Sequence, residues 1–256
     1  MLYNYHTHTV RCGHATGEDE EYVRAAIEFG VEEMGFSDHG PYRHEDGFQM
    51  RHRVQAERAK DYVSSLRALR DKYKNEIKLH IGFEVEYCPK YFDKAFAFWK
   101  SVGAEYLILG EHFLGDEREK PLFSSNASDS DERLIHYVDC VIEGLSKGVF
   151  TYLAHPDMLN YTGDDAIYEK EMRRLLEACK KMNIPVEVNC LGIRDSRHYP
   201  NPKFWKIASD VGTPVVIGFD AHAPKDAGET SAWQSTMEFV KKFRLNYLEK
   251  PTLVHI

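Results

Sequence analysis

What the chain lacks narrows its chemistry first. No stretch approaches the roughly 20 consecutive apolar residues that a membrane span needs, and the N-terminus shows no basic segment followed by an apolar run, so no membrane association or secretory signal is expected and the cytoplasm is the natural location. Cysteine is scarce. The five present (Cys12, Cys88, Cys140, Cys179 and Cys190) are odd in number, widely spaced and never arranged as Cys-x-x-Cys, which argues against a disulfide framework and a thiolate zinc cluster. Cys12, between two histidines, reads as a small buried or loop thiol. Positive charge is not in excess: the formal charge of −8 disfavours non-specific nucleic-acid binding. Gly-x-Gly-x-x-Gly and the glycine-rich loop ending in Gly-Lys-Ser/Thr are both missing, so no dinucleotide or nucleoside triphosphate site is announced. Without a Gly-x-Ser-x-Gly elbow or an early Asp-x-Asp, covalent hydrolysis through serine or aspartate has little support.

What is there is a regular alternation. The 256 residues, 43 % hydrophobic and 12 % aromatic, suit one globular domain spanning 1–256. Strand-like runs at 2–6, 33–37, 77–84, 106–110, 151–154, 186–189 and 214–218 are separated by helix-like stretches at 18–29, 54–73, 90–102, 129–145, 166–182, 202–211 and 230–243. Seven βα units in a chain of this length predict an α/β fold, a distorted (β/α)7 barrel resembling a TIM barrel, with its active site at the carboxyl ends of the strands. An open doubly wound sheet is the alternative.

Metal-ligating side chains collect at that same rim. His6 and His8 lie two positions apart, hence on one face of an extended strand. His14 follows in the next loop, Asp38-His39 close the second run and Glu84 closes the third. His112, His155 and the pair Asp220 and His222 close the fourth, fifth and seventh, so six of seven runs end in a potential ligand. Seven histidines and two carboxylates are too many donors for one or two ions with open positions, and three divalent ions fit better. Such a centre would carry a local charge of about +4 and favour an anion. Imidazole with carboxylate suits zinc, iron or manganese alike. Glu86 reads as either a partner of a ligand or an ordinary barrel carboxylate, and Asp38 is expected to orient His39. His80 and His136 read as structural. Arg43, Arg51 and Arg53, on the loop after the second run, read as solvated.

The ordered set His6-Thr7-His8, His14, Asp38-His39, Glu84, His112, His155-Pro156 and Asp220-Ala221-His222 resembles the polymerase and histidinol phosphatase (PHP) family. Length and local phrases such as Gly82-Phe83-Glu84-Val85-Glu86-Tyr87 and Val188-Asn189-Cys190-Leu191-Gly192-Ile193-Arg194 are most similar to its stand-alone histidinol-phosphate phosphatases of histidine biosynthesis. The resemblance implies a trinuclear centre with His6, His8, Glu84 and Asp220 on one ion. Glu84 would bridge to a second ion held by His112 and His155, and His14, His39 and His222 would hold a third. It further implies hydrolysis of L-histidinol phosphate to L-histidinol and phosphate by a hydroxide bridging two ions. Asp220 would take a proton, Arg194 would stabilise the phosphoryl charge, and Arg197 would be a second phosphate contact. A metal-bound water or His44 would protonate the leaving group, and Asn189 would line the pocket or cap a turn. The partner is then a small phosphate monoester, with neither nucleic acid nor membrane involved and the oligomeric state open. Another phosphoesterase of the family, acting on nucleotides or nucleic-acid 3′ ends, is the alternative.

Overall fold

The computed structural model describes residues 2–119 and 121–256. Its first half runs β1 (Leu2–Asn4), α1 (Asp19–Phe29), β2 (Val31–His39), α2 (Ala59–Tyr73), β3 (Lys78–Val85), α3 (Phe92–Val102) and β4 (Tyr106–Leu109), then a hairpin of β5 (Phe113–Leu114) and β6 (Leu122–Phe123). The second half runs α4 (Asp131–Leu145), β7 (Phe150–Leu153), α5 (Asp165–Met182), β8 (Val186–Asn189), α6 (Cys190–Arg194), α7 (Pro202–Val211), β9 (Pro214–Gly218), α8 (Thr230–Lys242) and β10 (Asn246–Tyr247). Local chemistry explains the boundaries. The Asp164 carboxylate accepts from the amides of Ala166 and Ile167 to start α5, Ser130 does the same for α4, and Asn201 caps α7 ahead of Pro202.

The sheet order is β1-β2-β3-β4-β7-β8-β9-β10, with every pairing parallel. Strands such as β4 and β7 are buried at every residue, as parallel strands covered by helices must be. The expected barrel is present, with two departures. β1 ends at Asn4 rather than at His6, because the Asn4 side chain takes over local hydrogen bonding: its Oδ1 accepts from the amides of His6 and Phe219, both at 3.0 Å. The chain then crosses towards the end of β9, where Thr7 pairs with Ala221 in an isolated parallel bridge that closes the rim. At the opposite end the short β10, which had no counterpart among the expected strands, lies along β9 instead.

Two apolar layers result. The larger fills the space between sheet and helices and includes Trp99, Trp205 and Tyr62. The smaller plugs the barrel floor with Tyr3, Tyr5, Tyr106 and Tyr152, sealed by Leu248 and Leu253 of the C-terminal segment. Beside this floor Glu33 accepts from the Tyr5 hydroxyl (2.9 Å) and His80 Nε2 (3.2 Å) and pairs with Lys250. His80 is thus a satisfied core histidine. Above the tyrosines, the interior turns polar.

Candidate metal centre

All nine expected ligands converge on that upper layer. His6, His8, His155, Glu84 and Asp220 are at most 3 % exposed, whereas His14, His112 and His222 form the side open to solvent. His6 Nε2 lies 3.4 Å from Glu84 Oε2 and 3.5 Å from Asp220 Oδ1. His8 Nε2 lies 3.6 and 3.1 Å from the same two oxygens. Donors around a tetrahedral zinc, each about 2.0 Å from the ion, stand about 3.3 Å apart, close to these four separations, and His6, His8 and Glu84 form one group able to hold an ion.

The glycines at strand ends make room for this. A Cβ on Gly110 would fall 2.1 Å from Glu84 Oε1, and one on Gly218 would fall 2.1 Å from Glu187 Oε2. Two ligands also sit in strained backbone: His155 has φ 27° and Asp220 φ 49°, a region that costs non-glycine residues about 1 kcal/mol or more. Such strain persists only where surrounding contacts impose it.

Tautomers are set from outside. Nδ1 of His6 donates to Glu187 Oε2 (2.9 Å), Nδ1 of His112 to Glu86 Oε1 (2.8 Å), and Nδ1 of His14 and His222 to the carbonyls of Cys12 (3.3 Å) and Asp220 (3.2 Å). Nδ1 of His8 faces Asp38 Oδ1 at 3.4 Å. In its neutral form each ring then presents Nε2 as a lone pair directed inward, the arrangement that outer carboxylates impose on metal-binding histidines. His14 Nε2 and His222 Nε2 then face one another at 3.1 Å. In these tautomers neither can donate, and only a cation relieves two lone pairs at that distance. The buried Nε2 atoms of His6 and His8 and Oε2 of Glu84 likewise lack hydrogen-bond partners. The donor set fits metal ions.

Burial raises the cost of ionising Glu84 and Asp220, yet the surrounding imidazoles hold both carboxyls well below their usual range. Against the same burial, hydrogen bonds to Asp220 and Asp38 push His8 up to about 9, so that an ion taken up there would displace a proton, whereas burial and the charges of His222 and His8 bring His14 down to about 4.

The PHP domain matches residues 4–190, most of the chain. The chain belongs to the PHP family. Among its relatives is a Deinococcus radiodurans protein named as a histidinol-phosphatase, 26 % identical over 238 residues, 89 % of this chain and 88 % of that one. Two solved structures share the fold. A Listeria monocytogenes protein named as a histidinol phosphatase superposes with a TM-score of 0.73 at 22 % identity, over 90 % of this chain and 99 % of that one. Histidinol phosphate phosphatase of Lactococcus lactis, solved with zinc, L-histidinol and phosphate, gives 0.71 at 19 % identity, over 98 % of both chains.

Around this PHP centre the structure sharpens several sequence readings. Glu86 is the partner of His112. Asp38 serves His8 rather than the His39 ring: it accepts from the backbone amides of His39 (2.8 Å) and Thr9 (3.1 Å) while facing His8 Nδ1. Cys12 is a buried thiol that donates to the Thr9 carbonyl. Asn189 both caps α6, accepting from Gly192 N, and donates to Glu187 and Asp220. His44 is engaged elsewhere, 2.6 Å from Glu117, and does not line the cleft beside the ligands. Arg53 is not solvated but 4 % exposed. Glu187 escaped the sequence reading altogether; its signal is the period-two pattern Val186-Glu187-Val188-Asn189, which turns 187 and 189 inward.

The cluster opens on a cleft of about 340 Å³ lined by Met50, Phe113, Phe123, Met158, Arg197 and Tyr199. Arg197 also borders the adjoining cleft with Asp220 and His222, and bonds Tyr199 through its hydroxyl at 3.1 Å. Arg194 borders that second cleft too, held 3.4 Å from Asp226 and 3.7 Å from Glu229.

Proposed function

We propose that the chain is a metal-dependent phosphomonoesterase and that L-histidinol phosphate is its substrate. The observation that carries this reading is the nine-donor cluster opening on a cleft whose lining includes both Arg197 and the apolar side chains Met50, Phe113, Phe123 and Met158. That combination offers an anion site and apolar contacts for a small leaving group within one pit. The Lactococcus protein of the same fold, solved with zinc, histidinol and phosphate, supports the substrate.

His6, His8, Glu84 and Asp220 would hold one ion, Glu84, His112 and His155 a second, and His14, His39 and His222 a third. Bound divalent ions supply Lewis acidity, which brings the pKa of water towards about 7 and neutralises phosphoryl charge. The remaining work falls to the chain. Glu187, Glu86 and Asp38 hold the Nδ1 side of His6, His112 and His8, so that each ring would turn Nε2 to an ion. Asp220, whose Oδ2 accepts from Asn189, would accept the proton of the attacking water. Arg197, and Arg194 behind it, offer planar N–H pairs to the equatorial phosphoryl oxygens as charge builds there. A bond forms from water oxygen to phosphorus, the bond to the alcohol oxygen breaks, and a proton ends on the departing alcohol.

The deciding experiment compares phosphate release from L-histidinol phosphate, a nucleotide monoester and the 3′ end of single-stranded DNA, with zinc, manganese or iron supplied. Preferred turnover of histidinol phosphate is expected. Faster hydrolysis of the nucleotide or the DNA end would replace this substrate with the family's nucleic-acid chemistry.

A further inference from the structure

A single buried guanidinium joins the metal cluster to the walls of the cleft. Arg53 Nη2 stands 2.6 Å from Glu86 Oε2, and the other oxygen of Glu86 holds His112 Nδ1 at 2.8 Å. Arg53 Nε donates to Glu117 Oε2 at 2.8 Å, and the other oxygen of Glu117 holds His44 Nε2 at 2.6 Å. Nη1 donates to the Gly40 carbonyl at 3.0 Å. The guanidinium plane lies between the rings of Tyr42 (5.0 Å) and Phe113 (5.5 Å). Arg53, Glu86, Glu117 and His44 are all at most 9 % exposed.

Three separate segments meet at this one side chain. Glu86 follows β3, and its partner His112 follows β4. Gly40, His44 and Arg53 itself belong to the loop after β2, which also carries Met50 into the cleft. Glu117 lies in the β5–β6 hairpin loop, whose strands carry Phe113 and Phe123 into the same cleft. Two buried carboxylates around one guanidinium are a costly arrangement unless geometry is maintained, because removing the guanidinium leaves both carboxylates uncompensated in a low-dielectric interior. Only a planar fork reaches both carboxylates and the carbonyl at once; a lysine ammonium is a point charge on a flexible stem.

We propose that Arg53 is a positioning residue for this centre: through Glu86 it fixes the His112 imidazole, and through Glu117 it fixes the loop and hairpin that line the cleft. Metal binding and substrate selection are thereby set by the same side chain. The proposal rests on the phosphomonoesterase reading only for its second half, since the first half concerns metal affinity alone.

The test compares R53K, R53A and E117Q with the unmodified protein, after stripping and reloading with zinc. Zinc equivalents and affinities are read by chelator competition, folding by thermal melting, and kcat and KM with histidinol phosphate. R53K and R53A are expected to weaken one class of zinc site by 10-fold or more and to lower kcat; where R53A does not fold, R53K carries the same reading. E117Q, which touches only the loop branch, is expected to keep the full zinc complement and kcat while raising KM. Millimolar guanidinium is expected to restore zinc affinity to folded R53A, and sodium at equal concentration is not. Folded R53K with unaltered zinc affinity at every site would overturn the proposal, as would loss of zinc in E117Q equal to that in R53K. If the unmodified protein binds zinc but does not hydrolyse histidinol phosphate, the substrate reading fails while the zinc comparison still stands.

Discussion

Glu187 Oε2 lies 2.9 Å from Nδ1 of His6, both side chains fully buried, so the carboxylate decides which nitrogen of His6 faces the cluster. With Nδ1 protonated towards Glu187, Nε2 is the donor turned to Glu84 and Asp220. Glu187→Ala removes the orienting acceptor without touching a ligand. Metal affinity is expected to fall about 10- to 100-fold, measured by chelator competition, and unchanged affinity would show that His6 is oriented by something else.

Gly110→Ala separates metal binding from folding. The added methyl would meet the far end of the Glu84 side chain rather than backbone, so the carboxylate can swing away at a folding cost of about 1–3 kcal/mol. A displaced Glu84 no longer serves both of its proposed ions. Metal analysis should show loss of more than one equivalent from a protein whose circular dichroism remains that of the parent.

Acid should act on the barrel floor through Glu33. Burial works against its ionisation, but Lys250, Tyr5 and His80 outweigh that cost and hold the carboxyl down to about 2. Since the folded value lies below the unfolded one of about 4.5, the stabilisation is present above that pH and is lost as pH falls from there to about 2; it amounts to about 3 kcal/mol. Urea unfolding of the protein and of Glu33→Gln should therefore differ at pH 7 and converge near pH 2. A gap independent of pH would assign the loss to packing.

Arg197→Ala should lower kcat/KM about 10- to 100-fold, the worth of a charge-assisted contact to phosphate, with metal content intact. Arg194→Ala is expected to weaken phosphate recognition likewise. Because Arg194 also pairs with Asp226, whose carboxylate accepts from the amide of His222, any accompanying change in metal content should be confined to the His14–His222 side. Steady-state kinetics beside metal analysis measure both.

The clustering of the nine histidine and carboxylate side chains was legible because such residues stand out at the ends of apolar runs, and a parallel barrel brings those ends together. The supporting residues were not, for a physical reason. Arg53 follows a strand in a loop rich in charge, where arginine is ordinarily solvated, and its burial depends on Glu86 and Glu117, 33 and 64 positions away. Asp38 adjoins His39 in sequence, yet its carboxylate faces His8, since the period of a strand sends neighbours to opposite faces. β10 has only two residues and exists by pairing with β9, which no local pattern signals.

The Thr7–Ala221 bridge has a consequence for the folded state as a whole. Its two arms carry His6 and His8 on one side and Asp220 and His222 on the other, so an ion held by both arms is a clasp between the first and last large strands. Chelation and barrel closure then become a single linked equilibrium: free metal at 1,000 times its dissociation constant would add about 4 kcal/mol to the resistance of the chain to unfolding, and a chelator would behave towards this protein as a mild denaturant that starts at the rim.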